Sequence, residues 1–187
     1  MARLREFDEV KALSAIEQVF WAQGFEGTSY ADLTSASGLG KGSLYAAFGN
    51  KEALYVRSLL SYIEREIGLG VCLLSGNSEF EPLSGKERIH MFLGVAIDAV
   101  ENRQDRRGCF VCNAAIDLAP FNPDVEEVVK SALARVIEGL QIALNLDGSN
   151  ASSEHLLATY LGMRVMAKGG ASADDLHAIR TAAINAI

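Results

Sequence analysis

Two short runs of this chain carry side chains with usable chemistry. The first is Lys41-Gly42-Ser43-Leu44-Tyr45, with Lys51 shortly beyond it. Cations, hydroxyls and a glycine that permits close backbone approach grip phosphates and base edges; they are not a bond-breaking set. Leu44 and Phe48 lie four apart and face inward together, which turns Tyr45 another way and leaves its hydroxyl for a phosphate. Lys51 falls in the first turn of a helix, where the dipole disfavours a cation. A docked phosphate reverses that penalty; without one the residue is simply solvated. The second run is Cys109-Phe110-Val111-Cys112, preceded by Arg106 and Arg107. Thiols at a helix N-terminus beside cations are acidified and reactive. Cys109 and Cys112 therefore form a candidate electrophile or oxidant sensor, with Cys109 reacting first, unless they are only small apolar residues in a packed helix.

Other chemistries find less support. One C-x-x-C pair with isolated Cys72, His90, His155 and His177 lacks the four-ligand spacing of structural zinc. A thioredoxin-type site needs a βαβ context that is absent, and a two-thiolate copper(I) site is left open. No Ser-His-Asp set, paired carboxylates or phosphate loop is evident, so neither an enzyme nor a cofactor is expected.

Helices must position the first run. Ser29 with Asp32 fits a capping pair, Leu33 and Ala36 share one side of a helix over 30–37, and Gly38 supplies the positive φ that ends it. Leu39 plugs the angle before a very short helix, and Asn50 caps a long one. Two short helices held this way are the form that lays side chains in the DNA major groove. Upstream, Val10, Leu13, Ile16, Val19 and Phe20 mark an amphipathic helix over 8–23, with Trp21 as core or hinge.

The stretch resembles the TetR/AcrR family of transcriptional regulators. The matching residues are Gly24-Phe25, Thr28-Ser29, Asp32-Leu33, Ala36, Gly38-Leu39, Lys41 to Tyr45, Phe48 and Lys51-Glu52-Ala53-Leu54; Tyr30, Gly40 and Ala47 depart from the usual pattern. The resemblance implies an all-α fold: an N-terminal three-helix helix-turn-helix domain (1–50), a linking helix (51–70) and a C-terminal helical bundle (71–187) that forms a dimer. It further implies a repressor that binds palindromic double-stranded DNA and is released by a small-molecule effector. Lys41, Gly42, Ser43 and Tyr45 would meet the groove, Thr28 and Lys51 the phosphates, and Arg3 and Arg5 an arm reaching backbone or minor groove. Two-fold symmetry would set the reading helices about 35 Å apart.

Composition bounds this reading. The 187 residues are 49% hydrophobic, enough for a sizeable core, and the net charge is −7. Residues 1–57 hold six cations and seven acids, leaving −6 for the rest. A reader with so little positive charge should make few phosphate contacts. A helical ligand-binding or thiol-sensing protein with weak or lost DNA binding is the alternative. No signal peptide and no apolar run long enough to span a membrane is seen, so cytoplasm is the expected location, with Cys72, Cys109 and Cys112 as free thiols.

The body reads as further helices: 86–102, 109–118, one opened by Asn122-Pro123 with an apolar face from Val125 to Leu144, one through Leu156 to Val165 broken at Gly169-Gly170, and a last one capped by Ser172 and Asp175. The last two carry apolar residues on more than one side, as helices buried against another chain do. The resemblance implies that these two form the dimer interface, with Gly162 either permitting close approach or incidental. It also implies a cavity, for which Phe92, Ala96, Phe110, Asn113, Ile116, Val136 and Tyr160 are candidate lining residues; packed core is the competing role. Asn113 is the best polar candidate, because a buried amide needs partners.

Overall fold

The computed structural model describes residues 8–76 and 83–187. Arg3 and Arg5 lie outside the described residues. Among those residues the chain is helical with no strand. α1 (Glu9–Gly27) starts where the Asp8 carboxylate accepts from the Lys11 amide, and it is interrupted at Gly24, whose φ of 75° bends the chain before a last turn carries Phe25 into the core. α2 (Tyr30–Ser37) opens on the Ser29–Asp32 capping box and closes on left-handed Gly38. α3 (Lys41–Phe48) follows, closed by Gly49.

Asn50 accepts from the Ala53 amide (2.8 Å) and starts α4 (Lys51–Tyr62), which continues through a π-turn (Ile63–Ile67) into α5 (Gly68–Ser75). Gly68 and Gly70, poor helix formers, do not end this helix. A Cβ at Gly70 would lie 3.2 Å from the Phe92 ring, so the glycine serves close packing, and Gly76 in the left-handed region is the true stop. Buried residues advance by four through the turn, as Tyr55, Leu59, Ile63 and Ile67, the wider period a π-turn imposes.

The body comprises α6 (Gly85–Glu101), α7 (Phe110–Asp117) with a 3-10 turn at Ala119–Phe121, α8 (Pro123–Leu146), α9 (Ser153–Lys168) and α10 (Ala173–Asn185). α8 is the central post, packed on α5, α6, α7 and α9, while α10 covers α6. The start of α6 lies so close to α8 that a Cβ at Gly85 would overlap the Ala143 carbonyl; Asp147 then accepts from the Gly85 and Lys86 amides. α1 leans on α2, α4 and α7, so the buried cluster runs unbroken from Ala12 to Ala183. α9 leaves Ala158, Gly162, Val165 and Met166 in solvent.

Candidate nucleic-acid interface and effector cavity

α3 is an amphipathic single pair of turns. Leu44 and Phe48 are buried, while Lys41, Gly42, Ser43, Tyr45 and Ala46 face solvent. Its N-cap is Gly40, so no side chain satisfies its first amides, which are left for an external acceptor. Tyr30 and Tyr45 stack at 5.3 Å, and the Lys41 ammonium lies 4.8 Å above the Tyr30 ring and 5.8 Å above that of Tyr45. Partial burial and a hydrogen bond to Tyr45 push the Tyr30 phenol up to about 12, so it stays neutral at physiological pH. Lys51 rests 4.3 Å over the Phe25 ring at the start of α4. Two aromatic platforms thus hold the two lysines on the reader surface. The family departure at Tyr30 builds one of them.

Thr28 is placed differently from the expectation. It is 2% exposed, and its hydroxyl donates to the Gly24 carbonyl at 2.7 Å. The bend at Gly24 turns that carbonyl inward, and Thr28 closes the bend rather than facing a phosphate.

In the body, α4, α5, α6 and α9 enclose a cavity of about 270 Å³. Tyr62, Ile67, Gly70, Phe92, Val95, Tyr160 and Arg164 line it, with Glu66, Leu69 and Arg103 also on its wall. Of the sequence candidates, Phe92 and Tyr160 line this space, with ring centroids 4.4 Å apart. Ala96 and Val136 are packed core. Phe110 is fully buried between Tyr55 (5.3 Å) and Tyr62 (5.7 Å), in an aromatic chain joining reader to body. Ile116 is 73% exposed; with Asn113 it edges an open hollow beside Gly24, Asp117 and Lys168. The Asn113 amide is engaged at both ends, donating to the Arg107 carbonyl and accepting from Lys168.

The thiols are also differently placed. Cys109 is 1% exposed, and Cys112 is half-buried, where burial pushes its thiol up, the reverse of activation. The exposed thiol is Cys72. The described residues contain no cluster of metal-ligating side chains.

The joint between reader and body sets Trp21 and Arg107 among residues that sequence reasoning passed over. Trp21 Nε1 of α1 donates to the Gly108 carbonyl (3.1 Å), and Arg164 Nη2 of α9 donates to the same oxygen (2.5 Å). Arg107 stacks on the Trp21 indole at 3.8 Å and donates to Gln18, also of α1. The Phe25 amide donates to Asp117 at the end of α7. Buried Glu17 accepts two hydrogen bonds from Arg65 of the π-turn. The single Trp was the one visible signal, since a buried indole needs an acceptor.

Comparison with known proteins agrees with this anatomy. Residues 12–57 match the model of bacterial regulatory proteins of the tetR family. The uncharacterized HTH-type transcriptional regulator YezE of Bacillus subtilis is 31% identical over 125 residues, 67% of this chain but under two thirds (62%) of its own length. The HTH-type transcriptional repressor ComR of Escherichia coli is 29% identical across 93% of this chain and 86% of its own. A cysteine mutant of the TetR family transcriptional regulator CifR, complexed with 26-bp double-strand operator DNA, superposes with a TM-score of 0.81 at 28% identity, covering 99% of each chain. With the reader motif, the helical layout and these likenesses in accord, the chain belongs to the TetR family of bacterial transcriptional regulators.

Proposed function

We propose that the protein is a dimeric, cytoplasmic, ligand-responsive repressor that lays α3 of each protomer in the major groove of a palindromic operator. The observation that carries this is the face of α3: five consecutive or near-consecutive exposed positions, Lys41, Gly42, Ser43, Tyr45 and Ala46, over a buried Leu44–Phe48 anchor. Lys51 serves a phosphate, and Arg3 and Arg5 supply an arm. On this reading residues 1–50 are the reader, 51–70 the core of the link and 71–187 the body. The exposed Ala158–Met166 stripe of α9, with α10, pairs with the same face of a second copy. The body cavity takes the effector, and binding shifts the population of reader spacings. The relatives' roles are regulatory, and no enzymatic role is assigned. A gel shift and footprint on DNA upstream of the protein's own gene tests the reading. A protected palindrome is expected, and the absence of any protection, or a monomer by light scattering, overturns it.

A further inference from the structure

Arg164 is a buried charge in the body with an unused donor. It is 6% exposed, its Nε has no hydrogen-bond partner, and its Nη2 is held only by the Gly108 carbonyl. Among the described residues no carboxylate forms an ion pair with it. A guanidinium does not shed its proton, and a buried charge without a counter-charge is strongly disfavoured. The neighbouring phenols do not supply one: burial pushes Tyr62 well up and Tyr160 up to about 12, so both are neutral. Asp105 acts on Arg164 only from a distance, because its carboxylate is bound by Arg107; the acid at the wall, Glu66, is bound to Arg65, and the other cation there, Arg103, is paired with Asp98.

Arg164 lines the 270 Å³ cavity, whose remaining wall is largely apolar and aromatic. That volume suits a single-ring molecule rather than a drug-sized one. A neutral occupant leaves the guanidinium unbalanced, and a cation is repelled. We propose that the cavity binds a small ring-bearing carboxylate, its ring against Phe92 and Tyr160 and its carboxylate on Arg164. This names the ligand class for the effector role proposed above and rests on that role.

The same arginine provides the route outward. Gly108 O is shared by Arg164 and Trp21. A carboxylate forms a stronger, charge-assisted bond to the guanidinium than a carbonyl does. It therefore draws Arg164 from Gly108 and loosens one of the ties that seat α1 on the body. α1 packs on α2 and α4, so its seating sets the stance of the reader.

The test is a binding comparison on the full-length protein without DNA. Calorimetry and thermal shift are run with benzoate, phenylacetate and cinnamate, each beside its neutral amide. The acids are expected to bind at least about tenfold tighter than the amides. Arg164→Gln is expected to erase the difference. Trp21→Phe is expected to keep acid binding and, in a separate operator titration, to lose the acid's effect on operator affinity. Equal binding of acid and amide, no acid binding at millimolar concentration, or a folded Arg164→Gln variant that keeps the preference overturns the proposal. The acid–amide contrast in the unmutated protein needs no variant to fold. Because it is read without DNA, its failure is separate from a failure of operator binding.

Discussion

Salt dependence gives the sharpest check on the reader. Among its described cations, Lys11 pairs with Asp8 and Arg57 with Glu9, which leaves Lys41 and Lys51 without carboxylate partners. With Lys41 at the groove edge and Lys51 at the start of α4 each neutralising a phosphate, two per protomer make four per dimer. With a slope of about −0.9 per neutralised phosphate, log affinity falls against log salt with a slope of about −3.6, or about 150-fold between 50 and 200 mM. Lys41→Ala removes two of the four, giving a slope of about −1.8 and about 12-fold over the same interval. If Arg3 and Arg5 also reach phosphate in both protomers, the unmutated slope becomes about −7.2, and replacing both with Ala returns it to about −3.6. Fluorescence anisotropy of a labelled operator from 50 to 300 mM KCl reads all three. A slope steeper than about −9, or a Lys41→Ala slope equal to the unmutated one, refutes the charge map.

Other outcomes follow from the packing and the titrating groups. Gly85→Ala, whose Cβ would overlap the Ala143 carbonyl, is expected to cost at least about 3 kcal/mol by forcing α6 off α8; the melting temperature should fall by about 6–12 °C, and an unchanged melt contradicts the close approach. Gly162 has open space around it within the protomer, so Gly162→Leu should leave the protomer folded by circular dichroism yet shift it toward monomer in sedimentation; a dimer of unchanged affinity removes α9 from the interface. Ellman's reagent should modify one thiol quickly, Cys72, with Cys109 reacting only on unfolding; fast loss of two or more contradicts the burial order. Arg107 holds Asp105 below its ordinary 3.8. The stability this adds is present above that value and lost as pH falls through and below it. Asp105→Asn should therefore flatten the acid limb of a urea-midpoint profile below about pH 4, and an identical limb would exclude the linkage.

Local features of the fold were legible because their causes are local. Ser29 with Asp32, Asn50, Gly38, and Ser172 with Asp175 each act within one turn, and each stands where its spacing implied. The inward pairing of Leu44 with Phe48 follows from a period of four. The misplacements arise where a bend or the packing of the folded chain decides. Gly70 looks like a helix breaker until Phe92 is packed on it. Ile116 looks like cavity lining until α7 is seen to turn that side to solvent. Thr28 looks like a surface hydroxyl until Gly24 bends a carbonyl toward it. The shared Gly108 oxygen was invisible because its two donors lie 87 and 56 residues away.

The π-turn at Ile63–Ile67 carries one surplus residue in an otherwise regular rod. Removing one residue there would restore ordinary winding and rotate all that follows by about 100° relative to α4. Leu74, now fully enclosed against α8, would swing outward. Phase between the two halves is therefore stored in those five residues. A chimera that grafts this reader onto a foreign body must be spliced upstream of Ile63 when the foreign helix has its own surplus residue. When the foreign helix lacks one, the splice must not carry this one across.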